Sequence, residues 1–435
     1  MRRFAGRSVS ALGFGGYRIS PAVPEHRAAL IAALDHGATV VDTSPNYADG
    51  GSETLIGSVL AGRRERPVVV TKVGTLQGEQ LADAAAREQA GNPWPDVVKI
   101  SASAWVCLAP EYIAHSLAGS TRRLGAPPDV VLLHNPELVL ADMDRRGALS
   151  DAAIDRFYEL VLPRAFAALE AQLPGLSCYG VSANTIGCRW GALGGANERE
   201  ALDLRRTLHA AAKAASPEGG ERGGERGEGQ GTGAAMGAGG EDGGGEGGDA
   251  EGGRGGGVPQ HRCRVLQVPL NLLEPDAAAA PAALARRLGL SVMANRPLNA
   301  IPPPGAGHGF GLNTSFLPLR DGRPTPPAAA LVRQQAREVL SRHLGPAAAA
   351  RLPLEEIALR FALSAPDVDV VLCGARRPEC ATPRVAAACD ALGCILSSAA
   401  LLPRECPPST RARTLTTHAR THTLIHTTTT AEAEA

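Results

Sequence analysis

The chain has almost no net charge, few aromatic residues and very few lysines. Its 435 residues carry 44 basic and 44 acidic side chains, and aromatic residues make up 3%. No strong positive field would draw such a protein to nucleic acid or to anionic lipid. Apolar runs are also short, and none approaches the roughly 20 residues that span a bilayer. We therefore expect neither a nucleic-acid-binding protein nor a membrane protein.

The nine cysteines include no Cys-x-x-Cys pair. Their odd number and their spacing disfavour a disulfide framework and a structural zinc site, so we expect thiols in a reducing compartment and no bound metal. The basic start, residues 1–7, is short, and a strand pattern begins near Ser8. We expect no cleavable leader and a cytoplasmic location, with organellar import as the alternative.

Short apolar runs alternate with amphipathic helical stretches along most of the chain. The runs are nearly continuous, which is typical of parallel strands buried on both faces. Eight such units predict an α/β fold, a (β/α)₈ TIM barrel over residues 8–400. An open doubly wound sheet is the alternative, disfavoured because no GxGxxG sequence opens the first β–α turn. The predicted strands are residues 11–15, 39–43, 67–73, 130–134, 177–182, 265–269, 290–294 and 368–373.

Helices are predicted between these strands. They cover residues 26–36, 52–60, 110–124, 152–172, 197–214, 278–288, 326–344 and 378–392, with an additional helix at 354–363 before the last strand.

Two segments have biased composition and stand apart from the barrel pattern. Residues 218–257 hold 21 of the 51 glycines and almost no apolar side chains. Since they cannot offset their ordering entropy, we expect a disordered Gly-rich insertion between the fifth helix and the sixth strand. The tail, residues 404–435, contains ten threonines and three histidines within residues 410–430. The histidines have helical spacing, but threonine is a poor helix former, so we expect a disordered tail without metal.

Four polar residues follow the predicted strands at the end where barrels carry active sites. Asp42 and Tyr47 come after the second strand, while Lys72 and His134 end the third and fourth. A nearby ammonium favours the phenolate and lowers the pKa of a tyrosine, and an aspartate keeps that ammonium charged. A histidine beside the phenol can fix a carbonyl oxygen or assist a proton relay. The four side chains therefore suit acid–base catalysis.

Each of these residues, taken alone, also has a structural interpretation. Asp42 can cap a helix, Tyr47 can lie on a loop by chance, Lys72 can be a solvated strand end, and His134 can be a satisfied structural histidine. Their convergence on one face is what favours a catalytic interpretation. Lys72 carries additional weight because the chain has only three lysines beside 41 arginines.

Six short stretches of the sequence form a recognisable set of motifs. They are Gly13-Phe14-Gly15, Val41-Asp42-Thr43-Ser44 through Tyr47, Gly50-Gly51-Ser52-Glu53 through Gly57, Thr71-Lys72, Leu132-Leu133-His134-Asn135-Pro136 and Gly180-Val181-Ser182. Taken in order, these motifs resemble the aldo-keto reductase family. The resemblance implies a barrel that binds NADP(H), or NAD(H), across its mouth. It implies Asp42, Tyr47, Lys72 and His134 as the catalytic tetrad, with Tyr47 as general acid while hydride passes to a substrate carbonyl.

The same resemblance implies residues that hold the nicotinamide end of the cofactor. Ser182 matches a serine that holds the carboxamide, and Gln267 matches a glutamine that contacts the same amide. The family commonly places Asn directly after the serine, whereas this chain has Ala183 there and Asn184 one residue later.

After the seventh and eighth strands the sequence departs further from the family pattern. Pro297 and Leu298 occupy the turn where the family often stacks an aromatic ring on the nicotinamide. In the last turn, Gly374 and Ala375 replace the usual Lys and Ser, and Arg376 and Arg377 follow at the predicted helix start. Helix N-termini favour anions, so these arginines are candidates for the 2′-phosphate of NADP.

The leading hypothesis is an enzyme that reduces aldehydes or ketones, or oxidises the alcohols, with NADP or possibly NAD. One alternative is a cofactor-binding regulatory or scaffold protein with little turnover, since the stacking aromatic is missing. Another is a Schiff-base aldolase that uses Lys72, which Asp42 disfavours by holding the amine protonated. The partner is expected to be a small carbonyl or alcohol, selected by the long stretches 75–109 and 299–325.

Overall fold

The computed structural model describes residues 1–172, 176–186, 199–216, 261–271, 276–298, 334, 337–342, 345–351 and 354–378. The predicted insertion at 218–257, the predicted tail at 404–435 and the stretch 299–325 lie outside the described residues. So do most of the predicted helix at 326–344 and all but the first residue of the one at 378–392.

Eight parallel strands close into a barrel, which confirms the predicted fold and rejects the open sheet. Each barrel strand pairs with the next in chain order, and the last pairs with the first. All eight predicted strands are present, with ends that agree to within two residues. The barrel strands are β3 (Leu12–Gly15), β4 (Val40–Asp42), β5 (Val68–Val73), β9 (Val130–His134), β10 (Cys178–Ser182), β11 (Cys263–Pro269), β12 (Ser291–Asn295) and β13 (Val370–Cys373).

Five further strands lie outside the barrel. A short antiparallel hairpin, β1 (Arg2–Phe4) and β2 (Arg7–Val9), precedes it. The backbone N–H of Ala5 donates to Ser291 Oγ at the start of β12, which places this hairpin at the N-terminal end of the barrel. The stretch 75–109, expected to be a β–α loop, folds instead into an antiparallel sheet of β6 (Thr75–Leu76), β7 (Val98–Ser101) and β8 (Ala104–Val106).

The helices surround the barrel and follow the predicted pattern closely where they are described. The helix predicted at 197–214 begins later, at Leu204, because the Asp203 carboxylate caps the N–H groups of Arg205 and Arg206. The helices are α1 (Pro24–Asp35), α2 (Gly51–Leu60), α3 (Gly78–Gln89), α4 (Pro110–Leu124), α5 (Leu138–Arg145), α6 (Asp151–Arg156), α7 (Leu162–Ala171), α8 (Leu204–Ala215), α9 (Asp276–Arg287), α10 (Pro346–Arg351) and α11 (Leu354–Ser364).

The single helix predicted at 152–172 is interrupted by a π-helical turn, Phe157–Val161, between α6 and α7. Pro163 has no N–H to donate to the carbonyl of Glu159, four residues earlier, so the regular hydrogen-bond ladder cannot continue. Lys213 Nζ on α8 donates to that carbonyl instead, at 2.9 Å. The interruption therefore follows from one proline, and α8 satisfies the carbonyl that it frees.

Side chains alternate along each barrel strand between the barrel axis and the surrounding helices. The inward-facing apolar side chains form one buried cluster with Phe4 and Val9 of the hairpin. Its barrel members are Val40, Val68, Val70, Val130, Leu132, Cys178, Val265, Met293, Val370 and Leu372.

Because the side-chain period is two, the inward faces of six strands end on polar residues at the C-terminal mouth. Those residues are Asp42, Lys72, His134, Ser182, Gln267 and Asn295. The barrel thus brings most of the predicted site residues to one mouth.

Candidate active site

Asp42 and Lys72 form a buried ion pair at the centre of the barrel mouth. The Lys72 ammonium donates to both carboxylate oxygens of Asp42 at 2.7 Å and to the carbonyl of Thr43 at 2.9 Å. The Lys72 side chain is fully buried, with 0% exposed. Burial lowers the pKa of Lys72, but the Asp42 carboxylate and the Tyr47 phenol outweigh it, so the net shift is upward. Lys72 is therefore a fixed ammonium at neutral pH.

Tyr47 lies on the loop after β4, beside this ion pair. Lys72 Nζ is 5.0 Å from the centroid of the Tyr47 ring, and Tyr17 packs edge-on against it at 4.9 Å. Burial raises the pKa of Tyr47 above its ordinary value of 10, and the Lys72 charge opposes the rise without cancelling it. The expected lowering by the ammonium is real but smaller than the cost of burying a phenolate. Tyr47 is consequently a protonated phenol.

The loop that carries Tyr47 is held in an unusual backbone conformation. Ala48, Asp49 and Gly50 follow one another with φ of 50°, 52° and 81°, in the left-handed region that non-glycine residues rarely adopt. Side chains from the segment after β5 support the loop. Asn46 donates to Gln77 Oε1 at 2.7 Å, and Gln80 donates to the carbonyl of Pro45 at 2.9 Å.

Gln77 and Gln80 belong to the stretch that the sequence analysis left without structure, so no pattern identified them as supports of the tyrosine loop. Their position follows from the small sheet and α3, which place them over the loop. The sequence signal that could have identified them is a polar side chain at the start of a helix next to the predicted catalytic loop.

His134 completes the group from the end of β9. Its ring lies 6.1 Å from that of Tyr47, edge-on, and its Nδ1 is 3.3 Å from Ser44 Oγ. Burial holds the pKa of His134 well below its usual range, and the positive charges of Lys72 and Arg296 lower it further. The imidazole is therefore neutral at physiological pH, so the site holds its positive charge on Lys72 and not on His134.

Ser182 and Gln267 lie side by side at the ends of β10 and β11, as their paired register requires. Ser182 Oγ donates to Gln267 Oε1 at 2.7 Å, and Gln267 Nε2 donates to Asp42 Oδ1 at 2.8 Å. Asn295 Nδ2, at the end of β12, also donates to Gln267 Oε1 at 3.2 Å. A continuous chain of hydrogen bonds thus joins the predicted carboxamide residues to the Asp42–Lys72 ion pair.

Gly180 permits the close approach of β10 and β11 below this pair. A Cβ atom at Gly180 would lie 1.8 Å from the carbonyl oxygen of Val265, so only glycine fits there. The strand register shifts at the same point, between Tyr179 and Gly180. The glycine of the Gly180-Val181-Ser182 motif therefore sets the position of the serine that follows it.

Glu137 is a residue of this mouth that the sequence analysis missed. It follows His134, Asn135 and Pro136 in the chain, is 2% exposed, and accepts a hydrogen bond from the backbone N–H of Asn184 at 2.8 Å. Burial raises the pKa of Glu137 to about 7, against partial compensation by these donors. A lone acid after a His-Asn-Pro stretch gave no sequence signal of burial.

The remaining cofactor candidates lie on the other half of the mouth. Pro297 is buried and Leu298 is half-buried, directly after β12. Arg376 and Arg377 follow β13 and are exposed. The structure therefore brings Gln267 into contact with Asp42, and Ser182 into contact with Gln267, whereas the two arginines lie at the surface beyond the last strand.

Neither a membrane-spanning helix nor a metal-binding cluster is found in the described part of the chain. None of its helices has both the length and the apolar character needed to cross a bilayer. None of its His, Cys, Asp and Glu side chains form a group of three or more suited to an ion.

Comparison with known proteins identifies a matching family model and several similar proteins. Residues 11–184 match the model of the aldo/keto reductase family. A stretch of 77 residues is 38% identical to the methylglyoxal reductase YeaE of Escherichia coli (strain K12) and covers 17% of this chain. The match spans 27% of the length of that relative.

Among solved structures, the chain is similar to an aldo/keto reductase from Klebsiella pneumoniae in complex with NADP and acetate. The two are 20% identical over 89% of each chain, with a TM-score of 0.47. It is also similar to the glycerol dehydrogenase of Gluconobacter oxydans, at 17% identity over 94% of this chain and 97% of the other, with a TM-score of 0.48.

Proposed function

We propose that this chain, an aldo/keto reductase over residues 11–184, transfers a hydride between NADPH, or NADH, and an aldehyde or ketone. The observation that carries the proposal is the convergence of four side chains, Asp42, Tyr47, Lys72 and His134, at one barrel mouth. Residues widely separated in the chain meet there in a geometry suited to moving one proton.

The proton donor in this scheme is the Tyr47 phenol. Its pKa is raised by burial, so it carries its proton at neutral pH and can deliver it to a substrate oxygen. The buried Lys72 ammonium stands 5.0 Å from the ring and stabilises the phenolate that the transfer leaves behind. Asp42 keeps the ammonium charged and oriented through two hydrogen bonds.

The His134 imidazole is neutral, which allows it to hydrogen-bond a carbonyl oxygen without adding a second cation to the site. The nicotinamide, when bound, supplies the hydride.

The residues at the other side of the mouth fit a nicotinamide cofactor. Asn295 Oδ1 is a buried acceptor that receives no hydrogen bond within the described residues. Buried acceptors of this kind are uncommon, and a ligand with N–H donors, such as a carboxamide, would satisfy it. Ser182 and Gln267 would hold the amide, and Arg376 and Arg377 would be free to meet the 2′-phosphate of NADP from the surface.

A Schiff-base aldolase requires a neutral, nucleophilic amine, and the surroundings of Lys72 disfavour one. Hydrogen bonds to both oxygens of Asp42 and to the carbonyl of Thr43 hold the ammonium, and the pKa is shifted upward. We therefore assign Lys72 to charge stabilisation. Small dicarbonyl compounds are reasonable first substrates, because the curated relative is a methylglyoxal reductase.

Titration with NADPH and then NADH, followed by protein fluorescence, tests the proposal. We expect binding of NADPH, and oxidation of NADPH, followed by its absorbance, with at least one aldehyde or ketone of a panel that includes methylglyoxal. Failure to bind either nucleotide would overturn the proposed function. Binding without turnover across the panel would favour the cofactor-binding scaffold instead.

A further inference from the structure

Glu137 links the loop after β9 to the loop after β10. Its Oε1 accepts the backbone N–H of Asn184 at 2.8 Å and the side-chain amide of Asn135 at 3.3 Å. Asn135 is itself tied to β10, since its backbone N–H donates to the carbonyl of Ser182 at 2.7 Å. The carboxyl group thus contacts the segment 182–184 directly at Asn184 and, through Asn135, indirectly at Ser182.

Burial of the Glu137 carboxyl costs folding free energy, and this cost indicates a functional role for the residue. The carboxyl is buried, and its second oxygen, Oε2, has no hydrogen-bond partner within the described residues. Burying a carboxyl that is only half satisfied costs free energy relative to an apolar side chain.

The chain lacks a side-chain amide immediately after Ser182, because Ala183 occupies that position. Ala183 has only its backbone N–H, which donates to the carbonyl of Gln267 at 3.1 Å. The segment is therefore held by backbone contacts to Gln267 and Asn135, and by one side-chain contact, from the Glu137 carboxyl to Asn184.

We propose, resting on the proposed function, that Glu137 is a positioning residue that orients Ser182 and Asn184 for the nicotinamide carboxamide. It acts through the hydrogen bond that its carboxyl oxygen accepts from the Asn184 N–H, which requires the full length of the side chain, and not through its charge. Loss of that hydrogen bond releases the segment 182–184 from Glu137 and weakens the binding of the nicotinamide end of the cofactor alone. The adenosine end binds elsewhere and is unaffected.

Two substitutions at Glu137 separate the contribution of side-chain length from the contribution of charge. Glu137→Asp keeps the charge and shortens the side chain by one methylene, while Glu137→Gln keeps the length and an acceptor oxygen but removes the charge. The readout is the ratio of dissociation constants for two ligands, NADPH and 2′-phospho-ADP-ribose, which lacks the nicotinamide. Calorimetric titration measures both without any turnover.

We expect Glu137→Asp to weaken NADPH about three- to tenfold, the range of one hydrogen bond, and to leave 2′-phospho-ADP-ribose within twofold. Glu137→Gln should keep the wild-type ratio. The control is Glu53→Gln, which changes another buried carboxyl, bonded to Thr71 and Arg123 on the far side of β5. It should lower the melting temperature without changing the ratio.

Equal weakening of both ligands in Glu137→Asp, or an unchanged ratio, would overturn the inference. So would a changed ratio in Glu137→Gln with a normal ratio in Glu137→Asp, since charge would then be the cause. Wild-type protein that binds 2′-phospho-ADP-ribose but gains nothing from the nicotinamide would also overturn it, while leaving nucleotide binding intact. Wild-type protein that binds neither ligand would overturn the proposed function and this inference with it.

Discussion

The two halves of the barrel mouth differ in how their polar groups are paired. On the side of β4, β5 and β9, the Lys72 ammonium donates to Asp42 and Thr43, so the buried charges are paired within the chain. On the side of β10 to β12, Ser182 and Gln267 bond to each other, and Asn295 Oδ1 has no donor within the described residues. The second half, which we call the cofactor half after its proposed role, thus keeps an acceptor that a ligand can complete.

The family match covers the two halves unequally. It spans residues 11–184, which include Asp42, Tyr47, Lys72, His134 and Ser182. Gln267, Asn295, Pro297, Leu298 and the two surface arginines after β13 lie beyond it. The first half is therefore matched completely, whereas the cofactor half is matched only as far as β10.

Tyr47→Phe should cause the largest change and should affect the first half alone. It removes the proton donor, and the loss of a general acid typically costs about 10²–10⁴ in rate. NADPH affinity should remain within about twofold, because the hydroxyl acts on the substrate oxygen. Steady-state reduction kinetics and fluorescence titration measure the two quantities. A variant that reduces carbonyls within about twofold of wild type would contradict the role given to Tyr47.

Lys72→Met should have the next largest effect, on stability. It leaves the Asp42 carboxylate buried without its cation, and breaking a buried pair in this way costs about 3–5 kcal/mol. Urea unfolding gives the free energy directly. The double variant with Asp42→Asn should recover part of the loss, since the uncompensated charge is then gone. Single and double variants of equal stability would show that the pair is not the source of the effect.

The barrel and the polar residues at its mouth could be predicted because short-range patterns determine both. Near-continuous apolar runs identified all eight barrel strands, and the polar residues that end them, such as Lys72 and His134, mark the mouth. These residues could be found from sequence because a strand end in a parallel barrel always points to the same face.

The supporting residues could not be predicted, because their roles depend on contacts between distant segments. Gln77 supports the tyrosine loop only because the small sheet and α3 fold over it. Glu137 is buried only because the chain turns inward after Pro136 and meets Asn184. The effect of Pro163 was foreseeable in kind, but its compensation by Lys213 on α8 was not.

The free energy of unfolding should depend on pH because of the Glu137 carboxyl, which lies between the two halves of the mouth. The pKa of Glu137 is raised from 4.5 to about 7 in the folded protein, so the folded state binds this proton more tightly than the unfolded state. The stabilisation is present at low pH and is lost as pH rises from about 4.5 to 7, by up to about 3 kcal/mol. Glu137→Gln cannot lose a proton and should show no such decline.

The measurement is the free energy of unfolding of wild type and Glu137→Gln at several pH values without cofactor. The difference should move in favour of the glutamine variant as pH rises and then level off above about pH 7. The control is Glu159→Gln, which removes an exposed carboxylate whose pKa is lowered by its hydrogen bond to Lys213. A constant difference between wild type and Glu137→Gln would show that Glu137 titrates normally.

Substitution of both surface arginines should have the smallest effect, confined to the cofactor half. Arg376 and Arg377 are exposed after β13, next to the barrel strand β3 that begins the mouth. Charge-assisted hydrogen bonds to a phosphate contribute about 1.5–3 kcal/mol each when formed, but solvent exposure reduces this. We therefore expect Arg376→Ala with Arg377→Ala to weaken NADPH by roughly tenfold and NADH hardly at all.

The 2′-phosphate is the sole chemical difference between the two nucleotides, so their comparison isolates the contribution of these guanidinium groups. Gly374 and Ala375 offer no side-chain donor, so the preference for NADPH should depend on the arginines and should weaken with added salt. Arg63→Ala, which removes a half-buried arginine paired with Asp35, is the control and should change neither affinity. Equal weakening of NADPH and NADH, or tighter binding of NADH by the wild-type protein, would mean that Arg376 and Arg377 are ordinary surface charges. The cofactor half would then bind NAD(H) through its nicotinamide end, and Ser182, Gln267 and Glu137 would account for its affinity.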